Sequence, residues 1–97
     1  MADAVTTLFV IGDVDLRTAP ELRESGIAEL ESHSCAKLIL DLSSVEFMDS
    51  TGLAAMLGIG LAAEKNQKAL VLRAPSEPVF YVLDAAGLGE EFTVEEI

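Results

Sequence analysis

Three short apolar runs, each followed by a segment with helical spacing, constrain the fold of this chain more than any other feature. "TTLFVIGDVD" carries an apolar run that ends at Gly12 and reads as a strand over Thr7 to Ile11. "KLILDL", residues 37–42, is almost continuously apolar, as expected of a strand covered on both faces. "ALVLRA", residues 69–74, reads as a third strand. Between the first two lies "DLRTAPELRESGIAELESH", which reads as a helix. Thr18 and Glu21 have capping-box spacing, Pro20 sits in the first turn, and Leu22, Gly26 and Leu30 share one face with Ile27 beside them. "STGLAAMLGIGLAAEKNQK" reads as a second helix with Leu53, Leu57 and Leu61 in a four-residue row. Its Ala54, Ala55, Gly58 and Ala62 are small enough for close packing on a sheet. Gly58 and Gly60 lower its intrinsic propensity, so it must depend on that packing. "SEPVFYVLDAAG" reads as a third helix, with Ser76 as cap, Pro78 in the first turn and Gly87 as the stop. In the ending "EEFTVEEI", Thr93 and Val94 can add a strand.

Strand–helix alternation of this kind implies an α/β fold with a mainly parallel sheet and right-handed crossovers. In such sheets, sites lie beyond the carboxyl ends of the strands. Two segments meet that description: "GDVD" after the first strand and "SSVEFMDSTG" after the second. Their proximity would gather Asp13, Asp15, Asp49 and Ser50. No repeat or low-complexity linker divides the 97 residues, so residues 1–97 are expected to form a single domain.

Charge and composition narrow the function. Seventeen acidic and six basic residues give a formal charge of −11, a field that repels phosphate backbones and anionic membrane surfaces. Direct nucleic-acid binding is therefore disfavoured. The acidic surface suits a partner with a basic face, and equally serves solubility. The longest apolar run, Leu53 to Ala63, is short of the roughly 20 residues needed to span a bilayer. No basic segment leads into an apolar stretch near the start, so no signal peptide and a cytoplasmic location are expected. The single cysteine, Cys35, excludes an internal disulfide and a cysteine zinc cluster. The single histidine, His33, lies in the polar stretch "ESHSC", and a histidine-based triad or metal site would have to rest on it alone.

The stretch "FMDSTGL", residues 47–53, stands where strand pattern gives way to helix pattern. Its plainest reading is a helix start, with Ser50 as N-cap, Asp49 at the positive end and Gly52 allowing a tight first turn. A hydrolase elbow, G-x-S-x-G, fails because Met48 stands where the first glycine belongs. A phosphate-binding loop fails because the G-x-x-x-x-G-K pattern and any loop cation are missing. A receiver-type phosphoaspartate site, with "GDVD" and Asp41 as the acidic pocket, fits poorly with about three βα units and an arginine in "VLRAPS". The remaining reading is a phosphorylatable serine on a docking surface. A phosphate on Ser50 would rest on unpaired backbone N–H groups at the helix start, and would repel a partner adapted to a neutral hydroxyl.

"LSSVEFMDSTGLAAMLG" resembles the signature of STAS domains, the sulfate-transporter and anti-sigma-factor-antagonist fold, and above all the free-standing bacterial anti-anti-sigma factors. "IGDVDLRTAPEL" resembles the turn before the family's first helix, "KLILDLSSV" its central strand and "VFYVLDAAGL" its last helix. Together these cover nearly the whole chain in the family's order.

The resemblance implies a STAS fold with a central sheet of about four strands and helices packed on it. It implies an anti-sigma factor antagonist for stress-response transcription. The antagonist binds an anti-sigma factor that is also a serine kinase and so frees a sigma factor. It lets go when phosphorylated at the position matching Ser50, and a serine phosphatase resets it. Asp49 and Asp15 would flank the phosphoacceptor, with Asp13 near. Thr51 and Gly52 would shape the loop, and Leu53 would belong to the docking start of the helix. ATP and magnesium would belong to the kinase, leaving no cofactor and no catalysis in this chain. Its own state would be monomer or weak dimer, with no membrane insertion. The alternative within the family is a scaffold subunit of a stressosome-like or phospholipid-transport complex without a kinase cycle. One departure stands out: family members begin with an extra strand, whereas here only "MADAVT" precedes Thr7, so the first edge strand is short or missing.

Overall fold

The computed structural model describes residues 4–96. Four strands and three helices alternate: β1 (Val5–Val14), α1 (Ala19–Glu31), β2 (Lys37–Met48), α2 (Ser50–Lys65), β3 (Ala69–Arg73), α3 (Glu77–Ala85) and β4 (Thr93–Glu95). The strands lie in the order β1-β2-β3-β4 and every neighbouring pair is parallel. Right-handed crossovers between strands laid down in sequence order place all three helices on one face.

The pairing register separates the two faces. Leu8, Leu40, Leu72 and Val94 form one row across the sheet and point into the core under the helices. Leu38 and Leu42 flank that row, fully buried, against Met56 and Ile59 of α2 and Val79 and Leu83 of α3. The opposite face carries the rows Thr7–Ile39–Val71–Thr93 and Phe9–Asp41–Arg73–Glu95. Arg73 Nε lies 2.8 Å from Glu95 Oε1, while Phe9 is exposed.

Both of the first two strands run longer than the apolar runs suggest. β1 extends to Val14 and absorbs most of "GDVD"; β2 continues past Leu42 to Met48. Two register shifts against β1, after Phe9 and after Gly12, let β2 carry extra residues without losing its partner. The segment "SSVEFMDSTG", expected to be a short loop, is therefore strand through Met48.

Small residues let α1 and α2 touch. A Cβ on Gly26 would lie 2.7 Å from Ile59 Cδ1, so the α1 backbone rests directly on the Ile59 side chain. The buried face of α2 is Gly52, Ala55, Met56, Ile59 and Ala63, which leaves the leucine row off-centre: Leu53 is half-buried, and Leu57 and Leu61 are exposed. α3 ends as expected before Gly87, whose φ of +73° suits glycine. Thr18 and Ser76 stand at the N-cap positions of α1 and α3 as expected, but without the capping bond. Neither Thr18 nor Ser76 caps its helix through the side chain, and Ser76 Oγ is buried without a partner among the described residues. Whether a short edge strand stands ahead of β1 falls on residues 1–3, outside the described residues.

Candidate functional site

The carboxyl ends of β1 and β2 meet in register, Asp13 beside Phe47 and Val14 beside Met48. Asp49 then donates its amide to the Val14 carbonyl at 3.4 Å, joining the two strand ends just where α2 begins. Gly52 makes the junction possible. A Cβ there would stand 2.8 Å from the Val14 carbonyl oxygen and 2.8 Å from Met48 Cγ, so only glycine lets the first turn of α2 sit on the end of β1. The pair Phe47 and Met48 divides its roles: Met48 is the buried anchor, and Phe47 is half exposed.

Asp49, rather than Ser50, is the N-cap of α2. Its Oδ1 accepts from the Thr51 amide at 2.9 Å and the Gly52 amide at 3.2 Å, and the Thr51 hydroxyl donates to the same oxygen. The Thr51 hydroxyl bond, aided by the two amides, holds the Asp49 carboxyl below the ordinary aspartate range, so it is ionised at neutral pH. Two consequences follow. The Thr51 hydroxyl is engaged, and Ser50, at the first helical position, is relieved of capping and lies exposed. Of the amides expected to receive a group on Ser50, those of Thr51 and Gly52 are already held by Asp49.

The neighbouring turn, from Asp13 to Ala19, is closed on itself. Asp15 Oδ1 accepts from the Arg17 amide at 3.0 Å and the Thr18 amide at 3.3 Å, and the Asp15 carbonyl accepts from the Ala19 amide at 2.7 Å. The Thr18 hydroxyl donates to the Asp13 carbonyl at 2.7 Å, which is why it does not serve α1. Asp13 is exposed and Asp15 half-buried. Asp13, Asp15, Asp49 and Ser50 thus come from the two adjoining chain segments at one end of the sheet, as the sequence indicates.

One feature of this end is missing from the sequence reading. Leu16, 74% exposed, projects from the turn beside a groove of about 340 Å³ between the first turns of α1 and α2. Ala19, Pro20, Arg23, Thr51 and Ala54 line the groove with it. The available signal was an apolar residue standing alone in the polar turn "DVDLRT".

The chain is thus a parallel α/β domain with an exposed, aspartate-capped helix start beside a groove at one end of the sheet. The comparisons with known proteins place it further. A family model described as "Mlab, STAS domain" matches residues 1–95. The anti-sigma-B factor antagonist of Listeria monocytogenes is 31% identical over 93 residues, covering 93% of this chain and 78% of that protein. Among solved structures, the anti-sigma factor antagonist SpoIIAA in its unphosphorylated form superposes with a TM-score of 0.81 at 22% identity, covering 100% of this chain and 84% of that one. An anti-sigma factor antagonist from Mycobacterium paratuberculosis gives 0.77 at 28% identity, covering 96% and 78%. This chain belongs to the STAS-domain family of anti-sigma factor antagonists.

Proposed function

We propose that this protein is a phosphorylation-controlled antagonist. It binds an anti-sigma factor with serine-kinase activity while Ser50 is free, and releases it when Ser50 carries phosphate. The observation that carries the reading is the division of labour at the start of α2: Asp49 takes the cap, and the Ser50 hydroxyl is left exposed at the first helical position. A serine needed for capping would be a poor substrate, because its modification would undo its own helix.

The switch works by charge and not by refolding. A phosphate adds roughly −1.5 to −2 at neutral pH. With the Thr51 and Gly52 amides held by Asp49, that charge is not absorbed by the helix start. It stands outward beside ionised Asp49 and the acidic turn at Asp13 and Asp15. A partner that fits a small hydroxyl and the apolar groove at Leu16 then meets a bulky dianion. The positive end of the α2 dipole still favours the anion within the domain, so the fold persists. The binding module needs no catalysis of its own; ATP, magnesium and the transfer step belong to the kinase, and a serine phosphatase reverses the mark.

Intact-mass measurement tests this directly. After incubation with Mg-ATP and extract of the native bacterium, the wild type is expected to gain one phosphoryl group and Ser50→Ala none. Ser50→Ala should retain the anti-sigma factor in the presence of ATP. If neither protein gains phosphate in an extract with demonstrably active kinases, a scaffold role takes its place, with the Leu16 groove as a constitutive docking face.

A further inference from the structure

The exposed apolar side chains of the sheet are not spread evenly. On the open face, Arg73 of β3 is bonded to Glu95 of β4, and Asp41 of β2 accepts from the Ser43 hydroxyl at 2.6 Å. The β1 side is apolar: Val5, Phe9 and Ile11 are 55%, 68% and 76% exposed. β1 is also an edge of the sheet, and no strand among the described residues pairs with its outer side. Ten residues long, it carries no proline, lysine or arginine, the usual means of blocking an edge, and its single charge, Asp13, lies near the end. The helix side of the same edge is open too. α1 packs chiefly on α2 and only lightly on β1. A groove of about 340 Å³ remains along the strand, with Leu8, Val10 and Leu22 at its apolar floor and Thr18, Glu21 and Ser25 on its rim.

An occupant of this edge must be an extended strand that is apolar on both faces. β1 is itself such a strand. We propose that a second copy of this chain pairs antiparallel along Val5–Val14, about a two-fold axis normal to the sheet, to give one continuous sheet. Registers that keep like faces together set odd-numbered residues opposite odd-numbered ones, with Phe9 opposite either Phe9 or Ile11 of the copy. Each such pairing doubles the apolar stripe on the open face, and sets Val10 of one copy beside the groove of the other. In both registers Asp13 falls opposite Val5 or Thr7 and never opposite itself, so the strand's one charge does not oppose the pairing. A ten-residue strand is about 33 Å long. The strip it covers is on the order of 600 Å² per partner, toward the lower end of specific interfaces, so the dimer is reversible. Because each chain carries −11, added salt strengthens the association.

Sedimentation equilibrium on the unphosphorylated protein tests the pairing. The expected result is a concentration-dependent shift from 10.3 kDa to twice that mass, tighter at higher salt. Ile11→Lys and Phe9→Lys should each weaken it by roughly tenfold or more. Leu61→Lys, an equally exposed apolar site on α2, should leave it unchanged. Thermal melts confirm that these exposed-site variants fold. A second test uses Phe9→Cys, Val10→Cys and Ile11→Cys, with buried Cys35 as a silent background. The residue on or next to the two-fold axis should form a disulfide-linked dimer under mild oxidation, and Leu61→Cys should not. A monomer at about millimolar concentration, a dimer indifferent to both lysine variants, or no cross-link at any of the three positions each overturns the proposal.

Discussion

The starts of α1 and α2 lie side by side and use the same materials, an aspartate and a threonine, to opposite ends. Before α1, Asp15 and Thr18 bond to each other's backbone and side chain, and the Thr18 hydroxyl reaches back to the Asp13 carbonyl. The turn is closed, and what it leaves outside is an apolar residue, Leu16. At α2, Asp49 gathers the Thr51 amide, the Thr51 hydroxyl and the Gly52 amide on one oxygen, and what it leaves outside is a hydroxyl, Ser50. One start displays an apolar side chain and the other a hydroxyl. The lesson is that a capping motif does more than begin a helix. By choosing which polar group is satisfied, it chooses which neighbour is displayed.

The sharpest way to break the α2 start is through Gly52. A valine there drives a branched side chain into the Val14 carbonyl and Met48, neither of which can retreat without parting the ends of β1 and β2. Gly52→Val is expected to destabilise the fold by about 3 kcal/mol, read by chemical denaturation. Gly58→Ala is the contrast. The Cβ it adds meets only the Arg23 side chain, at 2.7 Å from Nε, and that flexible chain can swing aside. Its effect should stay within about 1 kcal/mol. Comparable losses for the two would mean that the helix start is not held by the close approach at Gly52.

Much of this architecture is legible in the sequence. Helix–strand order, the parallel sheet, the end of α3 at Gly87 and the gathering of Asp13, Asp15, Asp49 and Ser50 all follow from patterns whose physics is local. What escaped is decided by distant neighbours. In "SSVEFM" only Val45 and Met48 are buried, a spacing of three that does not look like a strand. The register shifts against β1 cause it, and they are invisible without the partner. Thr18 and Glu21 have capping-box spacing, yet the hydroxyl is drawn off by Asp13 and Asp15. The leucine row of α2 misleads for a related reason. The buried face of α2 combines Gly52, Ala55 and Ala63 with Met56 and Ile59, which leaves Leu57 and Leu61 outward.

At the α1 start, Leu16 offers a cleaner separation of display from stability. Because it is 74% exposed, Leu16→Lys should leave the melting temperature within about 2 °C of the wild type. Its effect should appear in binding, with affinity for the proposed anti-sigma kinase falling by roughly tenfold. Calorimetry with the captured kinase reads both this variant and Ser50→Asp. If Ser50→Asp weakens binding while Leu16→Lys does not, the partner reads the switch alone and the groove beside it is not part of the contact.

The smallest expected effect is a matter of pH, and it tests whether the Asp49 carboxylate is the group that holds the α2 start. Its folded-state pKa lies below the ordinary value, chiefly through the Thr51 hydroxyl and then the backbone amides. A depressed acid binds fewer protons folded than unfolded, so its contribution is complete above the unfolded value of about 3.9 and fades as pH falls through the lower folded value. The wild type should therefore lose stability on acidification in that window more steeply than Asp49→Asn, whose side chain still accepts the amide bonds but does not titrate. Thr51→Val should flatten the same dependence by removing the largest cause of the shift while leaving both amides in place. Denaturant melts from about pH 4.5 down to about pH 2 read the difference in slope. Identical slopes for all three proteins would move the anchoring of α2 from the carboxylate to the Gly52 contact alone, and Ser50 would then owe its exposure to packing instead of to its neighbour's charge.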